Sequence, residues 1–157
     1  AAITGKVGVV RRDPMAMLPF CGYNMGEYFS HWLKMGTAVA KPPKIFRVNW
    51  FRRDSNGKFI WPGYGENMRV LQWIVERCEG RAQGGTTPLG IMPRYEDLSW
   101  SGLEKFSAEQ FAELSRVEHD AWVEELHSHD ELLSKLGAHL PGDLEARRSL
   151  LHEKLAA

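Results

Sequence analysis

Between Asn49 and Asn67 the chain reads NWFRRDSNGKFIWPGYGEN, which gathers Trp50, Phe51, Phe59, Trp61 and Tyr64 into one short segment. Flat rings beside uncovered backbone amides can form a slot for another flat ring, such as a nucleobase. Stacking on an aromatic side chain is worth roughly 1–3 kcal/mol per base. It does not choose between bases, because every base has a π face. Choice needs hydrogen bonds at the base edge, and the Asn67 amide carries both a donor and an acceptor. Arg52, Arg53 and Lys58 stand between the rings and favour an anionic ligand. The competing reading is plainer: the rings are core, and Asn67 is a helix N-cap.

These residues need elements to hold them. Asp54-Ser55-Asn56-Gly57 is a turn sequence, with Gly57 suited to positive φ. Ile45–Phe51 before it and Lys58–Trp61 after it are β-branched and aromatic, which predicts two paired strands with Phe51 near Phe59. Pro62-Gly63 ends the second strand. Gly63-Tyr64-Gly65-Glu66-Asn67 then returns the chain and opens a helix over Asn67–Glu79. Its apolar face reads as Val70, Leu71, Ile74 and Cys78, with Gly80 as C-cap.

Upstream, a strand is expected over Val7–Val10 and a helix over Asn24–Met35, burying Met25, Tyr28, Phe29, Trp32 and Leu33. Lys41-Pro42-Pro43-Lys44 is a stiff connector. Downstream, Arg81–Thr87 reads as a mobile loop and Leu89–Met92 as a short strand. Ser107 with Gln110 matches a capping box. Phe111, Leu114, Trp122 and Leu126 are expected on one helical face. Pro141-Gly142 breaks the helix, and Leu144, Leu151 and Leu155 lie on the last one. The fold class is therefore α+β: a β-hairpin and small mixed sheet, flanking helices, and a helical C-terminal tail. The expected parts are 1–43, 44–103 and 104–157.

Composition narrows the function. Lys+Arg and Asp+Glu are both 20 among 157 residues, so the formal net charge is zero. A nucleic-acid or anionic-membrane partner gains no global attraction from such a chain. No apolar run reaches the ~20 residues that span a bilayer. Two cysteines, Cys21 and Cys78, fit a reducing cytoplasm better than a disulfide framework. His127 and His129 are two apart and point away from each other on a helix, which argues against a shared metal. His119-Asp120 are adjacent, so they do not face one another as an acid/base pair. Cys21 reads as a small hydrophobe, and the glutamates of the tail as its wet face.

Several segments, in order, resemble the C-terminal end of GTP-dependent phosphoenolpyruvate carboxykinase. They are Arg12-Asp13-Pro14-Met15-Ala16-Met17, Pro19-Phe20-Cys21-Gly22-Tyr23-Asn24, Lys44 to Arg52, Gly57 to Asn67, and Thr87-Pro88-Leu89-Gly90 with Pro93. The likeness is specific to about Leu103 and only a matter of pattern beyond it. It implies a partial C-terminal nucleotide-binding domain over 1–157, in which the aromatic hairpin is the guanine pocket. Phe51 and Phe59 would sandwich or border the base. Tyr64 stands where the family commonly has Phe, and Tyr64, Gly65, Glu66 and Asn67 would meet the base edge.

The resemblance further implies GTP/GDP as co-substrate, oxaloacetate and phosphoenolpyruvate as reactants, Mn2+ and Mg2+ as metals, and a monomeric enzyme. The phosphate loop, metal ligands and oxaloacetate-binding arginines of the family fall upstream of Ala1. No G-x-x-x-x-G-K-[ST] occurs here. The chain is thus expected to be inactive by itself, with no catalytic residue of its own. Two other classes remain open. One is a single-stranded nucleic-acid module stacking bases on the hairpin. The other is a structural interaction segment.

Overall fold

The computed structural model describes residues 13–156, so the strand expected over Val7–Val10 lies outside the described residues. Helices occupy Met25–Ala38 (α1), Asn67–Cys78 (α2), Ala108–Ser115 (α3), His119–Ser134 (α4) and Gly142–Ala156 (α5). Two three-residue strands, Gly85–Thr87 (β1) and Gly90–Met92 (β2), form an antiparallel pair in which Gly85 faces Met92 and Thr87 faces Gly90. The architecture is α+β and mostly helical, and the sheet among the described residues is this antiparallel pair. The described residues form two compact units, 13–42 with 118–156, and 43–117. The segment expected as a separate tail from 104 contributes to both.

In the unit formed by 13–42 and 118–156, α1 starts where the sequence puts it. Asn24 Oδ1 accepts from Gly26 N at 2.8 Å, which satisfies one of the orphan donors of the first turn. Met25 is buried, but Trp32 is 51% exposed, so the expected apolar face is only partly covered. Tyr28 meets the Trp32 ring edge-on at 6.1 Å. Leu126 of α4 and Leu155 of α5 are buried, as is Leu136 in the connection between them.

A charged cluster links α4 to α5. Arg148 Nε donates to Asp130, and Arg148 Nη1 donates to Glu145 at 2.9 Å. His152 Nε2 lies 3.8 Å from the Asp130 carboxylate. Donation from Arg148 holds the Asp130 carboxyl below the usual aspartate range. A depressed carboxylate contributes stability above its unfolded pKa and loses it as pH falls through the folded value. Asp130→Asn is therefore expected to lower the urea midpoint near neutral pH. The gap to wild type should close as pH drops through the aspartate range. A gap independent of pH would remove the ionic explanation.

The unit formed by 43–117 is built on rings. Trp73, Leu98, Phe106 and Phe111 form its buried core, with Phe46, Val70, Ile74, Tyr95 and Trp100 packed against it. Each buried polar handle has a partner. Trp73 Nε1 donates to Gln83 O at 2.9 Å, Trp100 Nε1 to Tyr95 O at 2.8 Å, and Tyr95 Oη to Phe106 O at 2.9 Å. On α2 the inward face is Val70, Trp73 and Ile74, at i, i+3 and i+4. Leu71 and Cys78, expected inside, are exposed instead, because a face centred on Trp73 rotates them outward.

Gly80 takes φ 78° and caps α2 through Gly80 N to Arg77 O. The expected loop over Arg81–Thr87 ends in β1, and the strand expected from Leu89 begins at Gly90. The Ser107–Gln110 capping box forms in both directions. The apolar face read across Phe111, Leu114, Trp122 and Leu126 is not continuous. Arg116, Val117 and Glu118 interrupt it, and α3 and α4 belong to different units.

Candidate functional site

The aromatic segment is a turn held by side chains, not a laddered hairpin. Ile45–Phe51 forms no strand, and the expected pairing survives as one isolated bridge, Arg53 with Phe59. A local competitor explains this. Asn49 Oδ1 captures the Phe51 N–H at 3.0 Å, which removes a donor that a ladder would use. At the tip, Asp54 Oδ1 accepts from Asn56 N and Lys58 N, each at 2.9 Å, and Gly57 takes φ 78°. Asp54 N bonds Lys58 O at 2.8 Å, and Ile60 N bonds Arg52 O at 3.0 Å.

The arginines that looked available for an anion are committed to the scaffold. Arg52 Nη1 donates to Leu114 O at 3.1 Å and also to Arg116 O. Arg53 donates to Gly57 O at 2.7 Å, and its guanidinium sits 4.2 Å over the Phe59 ring. Bonds to neutral carbonyls leave the charge of both guanidiniums in place and fix where it sits.

The five rings sort into two groups. Trp61 is 4% exposed; its ring lies 5.6 Å from Trp50 and 6.2 Å from Phe106. Phe51, Phe59 and Tyr64 face outward at 71%, 45% and 90% exposure. Phe51 and Phe59 meet at 5.9 Å with planes 61° apart. That geometry leaves no parallel gap between them for a base. Together they make one wall, not two facing ones.

After Pro62, Gly63 takes φ 128°, and Tyr64–Glu66 forms a 3-10 turn that runs into α2. Asn67 is the first residue of α2, and its Oδ1 accepts from Trp61 Nε1 at 2.8 Å. The helix N-cap position falls to Glu66, with no side-chain capping bond. Glu66 itself is ion-paired with Arg69 at 2.6 Å, and Arg69 continues to Ser99 O and Ser101 O. The Glu66 carboxylate is thus occupied within the protein. A Cβ at Gly65 would meet nothing within 4 Å, so the backbone there is open. Gly65 and Glu66 also line a shallow groove of about 540 Å3 along α2, with Met68, Leu71 and Val75. Phe51, Phe59 and Tyr64 do not line it. The sequence reading missed the Trp61–Asn67 bond and the Arg69 clamp. Both depend on the 3-10 turn, which local patterning does not announce.

Residues 1–154 match the family described as phosphoenolpyruvate carboxykinase C-terminal P-loop domain. Proteins named phosphoenolpyruvate carboxykinase [GTP] are similar along the chain. The one from Anaeromyxobacter sp. (strain K) is 51% identical over 157 residues, covering 100% of this chain. That from Paenarthrobacter aurescens (strain TC1) is 47% identical over 158 residues, covering 99%. That from Thermoplasma volcanium is 50% identical over 137 residues, covering 87% of this chain and 23% of the relative. The chain spans 26% of the length of the first two.

Proposed function

The chain belongs to the family of the phosphoenolpyruvate carboxykinase C-terminal P-loop domain, and from that premise we propose that its aromatic turn holds the guanine base in a GTP-dependent enzyme. That enzyme converts oxaloacetate and GTP to phosphoenolpyruvate, CO2 and GDP, in gluconeogenesis and in the cytoplasm. The observation that carries the reading is the outward display of Phe51, Phe59 and Tyr64, followed three residues after Tyr64 by Asn67, whose amide carbonyl is held by Trp61. Apolar rings left in water at this turn favour a flat partner. The base lies against the Phe51–Phe59 wall, with Tyr64 and the open backbone at Gly65 beside it.

This segment binds and orients. The bond that breaks is at the γ-phosphoryl group, and no residue described here is assigned to it. Among the described residues no three His, Cys, Asp or Glu side chains come together to hold a metal ion. We assign neither Mn2+ nor Mg2+ to these residues. Phosphate and metal chemistry fall to residues other than these. Among the described residues no helix is long and apolar enough to cross a membrane.

The test is a titration of the chain with GDP and with ADP, read by tryptophan fluorescence, because Trp50 precedes Phe51 and Trp61 follows Phe59 by two residues in the same turn. Saturation by GDP at lower concentration than by ADP supports the reading. Phe59→Ala is expected to weaken GDP binding about tenfold, given roughly 1–3 kcal/mol per stacked base. In a full-length enzyme carrying these residues the same change should raise the KM for GTP and leave kcat nearly unchanged. A fall in kcat with KM intact would contradict a base-binding role. Equal response to GDP and ADP in the wild type would remove the assignment to guanine.

A further inference from the structure

We propose that Trp61 determines the base preference of this site by fixing which end of the Asn67 amide faces outward. The inference rests on the reading of residues 49–67 as a base site. An asparagine amide presents a carbonyl at one end and an NH2 at the other, and a free amide can rotate to offer either. An indole N–H is a donor only. Its bond to Asn67 at 2.8 Å therefore requires the carbonyl end to face Trp61.

Trp61 cannot easily move to release the amide. It is 4% exposed and packed against Trp50 and Phe106. Asn67 is fixed from the backbone side as the first residue of α2. The NH2 end is what remains, and it donates to no acceptor among the described residues. The site thus offers a fixed donor, with the carbonyl end turned toward Trp61.

Guanine and adenine differ at the corresponding edge atom. Guanine carries the O6 acceptor where adenine carries the N6 amino donor. A fixed NH2 pairs with the first and opposes the second with donor against donor. Without the indole N–H, the amide can turn and accept from an adenine amino group. Trp61 acts through Asn67 and is a positioning residue; it does not touch the base.

This assignment separates from a merely structural role, because removing the N–H should improve adenine binding while weakening guanine binding. Loss of packing would weaken both together. Two replacements remove the donor: Trp61→Phe, and L-3-benzothienylalanine placed at position 61, which keeps the bicyclic shape and puts sulfur where the N–H was. GDP and ADP dissociation constants are measured by calorimetry for wild type and both variants.

The expected result is a fall of about tenfold in the ADP-to-GDP ratio of dissociation constants, with ADP binding tighter than in wild type, consistent with the roughly 1–3 kcal/mol that a good base-edge pairing discriminates. A shape-preserving variant with the wild-type ratio, or with both nucleotides weakened equally, overturns the role of Trp61 and leaves the base site standing. A wild-type chain with no preference for GDP overturns the base-site reading, and this inference with it.

Discussion

Trp73→Ala is expected to cost the unit formed by residues 43–117 about 3–5 kcal/mol, the usual range for truncating a buried Trp or Phe. Trp73 is 3% exposed and belongs to the buried cluster with Leu98, Phe106 and Phe111. The Phe46 ring meets it edge-on at 6.1 Å, so truncation opens a void that rigid rings cannot easily fill. The change also leaves Gln83 O without its indole donor. Typical domains are stable by only about 5–15 kcal/mol, so the variant should unfold at far lower urea. Denaturation followed by near-ultraviolet circular dichroism measures the shift. A loss below about 1 kcal/mol would mean that the ring is not central to the core.

Two glycines of α1 should respond to alanine with opposite signs. A Cβ built at Gly26 falls 2.1 Å from His139 O and 2.7 Å from His139 C. Both are backbone atoms, so relief requires the start of α1 and the turn at Gly137–His139 to separate. That would also strain the Asn24 Nδ2 to Leu136 O bond. Overpacking of this kind costs about 3 kcal/mol when the neighbour is backbone. Gly36 lies in the same helix, and a Cβ there meets nothing within 4 Å. Gly36→Ala should raise stability by up to about 1 kcal/mol, because alanine loses less backbone entropy in a helix. Thermal midpoints of the two variants, compared with wild type, check the pair. Two shifts of the same sign would contradict the packing described for Gly26.

The legible parts of the fold were those decided by neighbours in sequence. Asn24 and Ser107 act as caps because a cap is a contact over two or three residues. Gly57 and Gly80 take the positive φ that their turns require. α5 starts at Gly142, directly after Pro141, for similarly local reasons, but the helix that Pro141-Gly142 was expected to break already ends at Ser134. The illegible parts depended on distant partners. The inward face of α2 runs through Trp73 because the Leu98 side chain and the rings of Phe106 and Phe111 wait there, and nothing within α2 distinguishes that face from one through Leu71. Ile45–Phe51 has strand composition, yet the Asn49 side chain takes a ladder donor.

The candidate site divides in the same way. The turn that gathers Phe51, Phe59 and Tyr64 is encoded in Asp54-Ser55-Asn56-Gly57. Which rings turn inward is not, since Trp61 is drawn into the core by Phe106 and by its bond to Asn67. The ring pair was legible as a contact, but the 61° angle between Phe51 and Phe59, which decides between a wall and a clamp, was not.

The way the aromatic turn is held has a consequence for how it deforms. A sheet yields cooperatively, because each ladder bond supports the next. Here two backbone bonds, Asp54 N to Lys58 O and Ile60 N to Arg52 O, are joined by separate side-chain supports: Arg52 on Leu114 O, Arg53 on Gly57 O, and Asp54 on two amides. Each can open without the others, at a free energy well under that of unfolding the unit. The wall therefore behaves as a set of independent latches on a stable base. A base of the kind proposed above, on closing them all, would lose affinity to the ordering and gain a surface that shapes itself to its ring.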